Sequence, residues 1–407
     1  MFFALQSAAF YATMNKAGAD ARRFSTQTIE PKGRNNMKDT KIPTLCEKGA
    51  VSHLEGSSFC YQGWPTVCRD EEGTLYAAAS SFRCAHVCPF GKNAMFISKN
   101  GGKTWSPPIV VNDTYSDDRD AGLLYMGEGR LLLSHFHHPA TYYESNKDSL
   151  LTWAGSDEIK KGFAGVIEGL ASLPEEARQA GSFVRLSEDY GITWSENIRV
   201  PVTAPHGPCL CPDGSLLYLG KGSFSREEDG IDKDEIWAYA SLDGGKTWEK
   251  RGLCQKPADI SWRVLHEPHA LALPDGSLLG AIRSEAGSTG GGCFATFITK
   301  SYDGGRTWSA WRDLGVIGSP PHLLLLSTGE VLCSYGRREK PYGIRAIFSA
   351  DGGESWGDEY ILDEDFETYD LGYPSTAELD DGSLITVYYG HHGGPKPNDV
   401  LYTKWKR

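Results

Sequence analysis

The chain has no apolar run approaching 18 residues, so nothing in it reads as a membrane-spanning helix. It has no basic surplus either. Among its 407 residues, 41 Lys and Arg stand against 53 Asp and Glu, a net charge of −12, which argues against nucleic acid as a partner. Cysteine is sparse and scattered (Cys46, Cys60, Cys68, Cys84, Cys88, Cys209, Cys211, Cys254, Cys293 and Cys333), too thin for a disulfide framework. Cys84 and Cys88 flank His86, but no second Cys/His pair follows at zinc-finger spacing, so no metal is expected there. Several cysteines sit in apolar, strand-like runs as buried free thiols would, which tilts the expected compartment toward a reducing, cytoplasmic one over a secreted one. Basic residues are also missing ahead of the apolar start MFFALQSAAFYATMNKAGADARRF, which makes it a poor signal peptide. An organelle-type leader, or sequence upstream of a start at Met37, are the other readings. Residues 1–43 are expected to be a mobile tail or leader before a single domain over 44–407.

What is present is glycine, aromatics and repetition. Gly at 47, Trp at 11 and Tyr at 19 suit a turn-rich β protein. One pattern, S-x-D-x-G-x-[T/S]-W, recurs as SKNGGKTW (98–105), SEDYGITW (187–194), SLDGGKTW (241–248), SYDGGRTW (301–308) and SADGGESW (349–356), with Asn100 replacing Asp in the first. Asp or Asn with Gly makes a tight turn, and the Trp is expected to begin the next strand and bury its ring. A second pattern interleaves: apolar strand, glycine turn, apolar strand, six times, as in HALALPDGSLLGAIR and STAELDDGSLITVYY. Its turn glycines are Gly73, Gly129, Gly214, Gly276, Gly329 and Gly382, at intervals of 56, 85, 62, 53 and 53 residues. Two hairpins repeated six times predict an all-β, six-bladed propeller of four-stranded antiparallel blades. The final unit stops early, so a strand from about 46–60 is expected to complete it. The long interval predicts a helical insert over about 142–180, with Pro174 near a helix start.

The first strand of a propeller blade lines the central channel, so register says which residues meet there. Counting nine positions back from each turn glycine gives Trp64, Asp120, Pro205, Glu267, Pro320 and Tyr373. The returning strands bring Arg83, the run Ser134–His138, Lys221, Arg283, Arg337 or Arg338, and Tyr389 to the same end. Several arginines in a concave site on an acidic protein suggest an anionic ligand, most simply a carboxylate. The arginine field is expected to lower the pKa of a neighbouring tyrosine, making Tyr373 a nucleophile with Glu267 as its base.

These residues meet a known family. The S-x-D-x-G-x-T-W repeats resemble the Asp boxes of sialidases (neuraminidases), and the resemblance runs along nearly the whole chain after residue 45. HEPHALALPDGSLLGAIR looks like the sialidase segment with the catalytic Glu and a carboxylate-binding Arg, here Glu267 and Arg283. LGYPSTAELDDGSLITVYY looks like the segment with the nucleophilic Tyr, here Tyr373. GIRAIFSADGG puts Arg345 near the family's third triad arginine. Two departures stand out. The N-terminal [F/Y]-R-I-P motif reads YQGWP, with Gly63 at the Arg position and Arg83 as the nearest replacement. The loop CAHVCPFGKNA lacks the acid/base Asp, leaving His86, Asp118 or Asp120 as substitutes.

The resemblance implies retaining exo-hydrolysis of terminal acidic sugars, with neither a metal nor an organic cofactor; the substrate is expected to be held by Arg283 and Arg345, which the motifs carry, and by Arg83, Arg337, Trp64, His269 and His322, which register places in the channel. Two rivals remain. A polysaccharide lyase acting on uronic acids would use His135, His137, His138, His269 or His322 with a tyrosine. A non-catalytic glycan-binding propeller would explain the missing Arg and Asp. In each case the partner is a glycan, and a ring without open sheet edges is expected to be monomeric.

Overall fold

Five copies of one hydrogen-bond network set the architecture. The computed structural model describes residues 39–407 except 55, 57, 154–155, 286–293 and 394–397; most of the expected leader, and Cys293, lie outside the described residues. In the third repeat, Ser241 Oγ donates to Asp243 Oδ1 (2.8 Å) and accepts from the Gly245 amide (2.8 Å). Asp243 in turn accepts from the Thr247 amide (2.9 Å) and hydroxyl (2.6 Å). The same bonds recur at Ser187/Asp189/Gly191/Thr193 and Ser301/Asp303/Gly305/Thr307; in the first repeat Asn100 Oδ1 accepts from Ser98 Oγ and the Thr104 amide, while its Nδ2 donates to the Thr104 hydroxyl. The glycine two residues after each Asp or Asn has a positive φ, and in two copies space excludes a side chain as well. A Cβ on Gly102 would lie 2.2 Å from Ile385 Cδ1, and one on Gly353 2.8 Å from Leu279. The tryptophans depart from expectation: each lies in the turn ahead of the outer strand and is only half-buried. Trp105, Trp194, Trp248, Trp308 and Trp356 each pack on the apolar layer between two blades, which makes them staples between neighbours.

These turns carry a pH dependence. Hydrogen bonds from Thr247 and Thr307 hold the Asp243 and Asp303 carboxyls down at about 2, and Asp351 is depressed in the same way. A depressed folded-state pKa contributes stability that is present above the unfolded value near ~3.9 and lost as pH falls toward the folded one. The melting temperature is expected to drop between about pH 4 and pH 2. Asp243→Asn and Asp303→Asn, which copy Asn100, should flatten that slope, and an unchanged slope would show the boxes are not its source.

The six sheets are the expected ones. Five blades take consecutive strands, beginning at Tyr61, Arg119, Cys209, Leu265 and Pro321. The sixth contains Gly372–Glu378, Leu384–Gly390 and Asp399–Lys406 and is completed by Leu45–Ser52, so a strand that precedes the first blade in sequence closes the ring. Thr40–Lys41, inside the stretch expected to be a tail, add a parallel fifth strand to the outer edge of the fifth blade. Each blade packs face to face on the next through its own apolar layer. The insert falls in the second blade as short helices from Ala140 to Arg178, with Pro174 capping the last. Its longest helix, Asp157–Ala171, buries Phe163, Ile167 and Leu170, one face at helical spacing, and Phe163 meets Phe90 edge-on at 5.4 Å. No described helix is long and apolar enough to cross a membrane.

Candidate active site

Four of the six register positions share a rare backbone state. Trp64, Asp120, Glu267 and Tyr373 have φ of 55°, 57°, 47° and 49°, each inside a register shift of its innermost strand. Prolines occupy the other two. Left-handed φ at a bulky residue costs roughly 1–3 kcal/mol and persists where the surroundings impose it, often at functional sites. Here the bulge turns four side chains out of the pleat toward the ring axis.

Tyr373, Glu267 and Arg283 form one bonded group. The Tyr373 hydroxyl donates to Glu267 Oε1 at 2.5 Å and accepts from Arg283 Nη1 at 3.0 Å. Arg283 also pairs with the other Glu267 oxygen and, through Nη2, with Glu285 at 2.7 Å. The expected lowering of the tyrosine's pKa is reversed. Burial and then the Glu267 charge push it up, against the pull of Arg283 and Arg338. The phenol therefore rests neutral, with its proton already aimed at a carboxylate. Asp120, with its backbone carbonyl accepting from Asn93, has a carboxyl raised to about 7 by burial and by Glu267.

Next to this group the first two blades supply cations. Arg83 is fully buried, and its guanidinium is committed to Asp117 (Nη2 to Oδ2, 2.8 Å), Ser80 Oγ (2.8 Å) and the His86 carbonyl (2.9 Å). Its expected place on the substrate is therefore corrected: every bond of the guanidinium is spent inside the protein, and it supports the site rather than touching a ligand. Arg119 also donates to the His86 carbonyl (2.8 Å) and covers the Trp64 ring at 4.2 Å, with Arg83 at 4.8 Å. His86 points to Asp370 (3.0 Å), which gathers the hydroxyls of Tyr61 (3.0 Å) and Tyr389 (3.0 Å) as well. Burial holds the His86 pKa down, opposed by Asp370. The Cys84 and Cys88 sulfurs lie 3.3 Å apart, while the imidazole's Nδ1 is turned to Asp370.

Two further arginine expectations need correction. The fifth blade sends Arg338 to the axis, where it donates to the Leu371 carbonyl (2.9 Å) and Tyr389 (3.2 Å) and covers Tyr373 at 5.2 Å. Arg337 remains in the ladder opposite Gly343. Arg345 lies on the third strand of that blade, which does not line the channel, and turns outward to Glu359, Glu364 and the Asp363 carbonyl. His269 and His322 are buried deeper in the channel, stacked at 4.7 Å, with ring nitrogens bonded to the Leu323 amide (2.9 Å) and Ser375 (3.2 Å). Burial pushes His269 down to about 3, so both are neutral packing rings. Asp117, Arg119 and Asp370 are site residues that neither the register nor the motifs announce. The first two lie in the SDDRDAG run beside Asp120, and Asp370 immediately precedes the LGYP motif.

The profile of the family described as "BNR repeat-like domain" matches residues 163–386, and a BNR/Asp-box repeat matches residues 96–107. No curated protein matches in sequence. Among solved structures, a Dyadobacter fermentans protein of unknown function is similar over 89% of this chain and 98% of its own, with 23% identity and a TM-score of 0.68. A Hadza microbial sialidase is similar over 88% of this chain and 68% of its own, at 17% identity and 0.61. A leech intramolecular trans-sialidase is similar over 88% and 69%, at 16% identity and 0.62. At these identities the likeness establishes the fold.

Proposed function

The chain belongs to the BNR repeat-like domain family, and on that premise we propose that it is a sialidase-like exo-glycosidase removing terminal acidic sugars by a retaining mechanism. The observation that carries this reading is the Tyr373–Glu267 hydrogen bond of 2.5 Å with Arg283 on both partners. In this reading the phenol oxygen attacks the anomeric carbon as its proton passes to Glu267, and Arg283 stabilises the charge left on oxygen. The glycosidic C–O bond breaks as an acid, here Asp120, gives a proton to the leaving oxygen. Water then cleaves the tyrosyl glycoside. Arg338 and Arg119 are the guanidiniums proposed to hold the sugar carboxylate, in place of Arg83, Arg337 and Arg345. Glu267 and Glu285 are the most open members of the bonded group, at 25% and 38% side-chain exposure, which supports substrate entry from their side. The ring's closed edges support action as a monomer.

A second reading, a glycan-binding propeller without turnover, is favoured by Trp64, whose ring is 1% exposed beneath Arg119 next to the Gly63 departure. Chromophore release from an aryl α-sialoside, with a panel of aryl glycosides and glycuronides, separates the two. Turnover is expected on the sialoside, reduced on the order of 10²–10⁴-fold in Glu267→Gln. Silence on the whole panel would overturn the hydrolase reading. An ultraviolet-absorbing product from uronic-acid polysaccharides would point to a lyase instead.

A further inference from the structure

The run Ser134–His138 contains histidines for which the proposed chemistry has no use. His135 and His137 lie two residues apart on the strand Leu131–His137 and so share one face. Asp118 sits beside them, in the segment leading to Asp120. One ligand-capable atom of each lies within 4.8 Å of the other two. All three are buried, with exposures of 0% for Asp118, 1% for His135 and 9% for His137.

Their outer hydrogen bonds fix what they present to one another. His135 Nε2 lies 2.9 Å from Asn197 Oδ1, and His137 Nε2 lies 3.1 Å from the Gln179 carbonyl. Both partners only accept, so each Nε2 carries the proton and each Nδ1 keeps a lone pair. The His135 Nδ1 faces Asp118 Oδ1 at 3.7 Å, with the Asn112 amide at 3.4 Å as its donor. The His137 Nδ1 is buried with no partner among the described residues. Asp118 itself is held by the Thr114 amide and hydroxyl, both at 2.8 Å. Phe183 stacks on both imidazoles, at 5.6 and 5.0 Å, and walls them with an apolar face. Arg185 is committed elsewhere, to the Val111 (2.6 Å) and Ser195 (2.7 Å) carbonyls.

Acceptors converging in a buried, apolar-walled space are costly unless something positive joins them. We propose that Asp118, His135 and His137 bind one divalent transition-metal ion of the Zn²⁺ type. Two imidazole nitrogens and one carboxylate suit such an ion better than Ca²⁺ or Mg²⁺, which take oxygen ligands. A metal-bound imidazole donates its other ring N–H to an acceptor, as each Nε2–H does here. The ion would fasten the Asp117–Asp120 segment, where the second blade's innermost strand begins, to the neighbouring strand Leu131–His137, and so hold Arg119 and Asp120 in place whether or not the chain turns over a glycan. The competing arrangement, a proton shared by Asp118 and the His135 Nδ1, leaves the His137 Nδ1 unpaired.

Titrating the chelator-treated full chain with Co²⁺, then displacing it with Zn²⁺, tests the site. One equivalent of Co²⁺ should give ligand-field bands without a thiolate-to-cobalt charge-transfer band, and Zn²⁺ should bleach them and raise the melting temperature. His137→Gln, which can still reach the Gln179 carbonyl, and Asp118→Asn should each weaken binding by at least about tenfold. Absence of saturable bands in the wild type would overturn the proposal, as would a thiolate band marking the cysteines as ligands, or wild-type affinity retained in both variants. Should either variant fail to fold by circular dichroism, the wild-type spectrum decides alone.

Discussion

Tyr373→Phe is expected to lower sialoside turnover by at least about 10³-fold, with the fold and ligand affinity retained. The substitution removes one oxygen from a ring held on every side: Trp64 meets it edge-on at 6.4 Å, Tyr389 lies at 5.8 Å, and Arg338 covers it. Packing therefore survives, and only the hydrogen bonds to Glu267 and Arg283 are lost. Tyr373 is 4% exposed and its ionisation is disfavoured by burial and by Glu267. A free phenolate is thus not the resting nucleophile, and proton transfer to Glu267 must accompany attack. This yields a second readout: Glu267→Gln, which cannot take the proton, should share most of the Tyr373→Phe defect, and the double variant should add little to it. Additive losses would mean that the two act separately. Turnover unchanged in Tyr373→Phe would remove the phenol from the mechanism and, with it, the retaining route proposed above.

The parts of this molecule that the sequence makes legible are those built from local rules. The Ser–Asp–Gly–Thr turns are readable because every bond in them spans at most four residues. Trp64, Asp120, Glu267 and Tyr373 are readable because hairpins of constant length carry one register around the ring. Arg338 was harder, since adjacent strand residues face opposite sides and a one-residue choice between Arg337 and Arg338 decides which reaches the axis. Arg345 was misplaced because a motif resemblance does not say which strand of a blade holds it. Asp117 and Asp370 act through contacts 34 and 309 residues away in the chain, to Arg83 and Tyr61, and no period announces them. The direction of the Tyr373 shift escaped for a related reason: arginines can be counted in a sequence, whereas burial cannot.

Asp117 carries the largest expected effect on stability. Its carboxylate and the Arg83 guanidinium are both fully buried and bonded through two oxygens, with Arg119 at 3.5 Å and the Cys88 amide at 3.4 Å on the same group. Burial alone would raise this carboxyl's pKa, and the two arginines more than reverse that, so it is ionised at neutral pH. Asp117→Ala leaves two guanidiniums in the interior without their counter-ion and is expected to cost roughly 3–5 kcal/mol, read as a lower urea midpoint. The pair is a fastening more than a source of net stability. Replacing both members, Arg83→Met with Asp117→Leu, should therefore recover part of the loss, and a double variant worse than Asp117→Ala would contradict that account. Gly91 provides an independent check. A Cβ there would lie 2.1 Å from Arg83 Nη1 and 2.2 Å from Asp117 Oδ1, so Gly91→Ala should push the pair apart and mimic the charge deletion. Because both arginines hold the His86 carbonyl, these variants should also disorder the recess around Trp64 and Asp370, and lose activity at temperatures where the propeller is still folded.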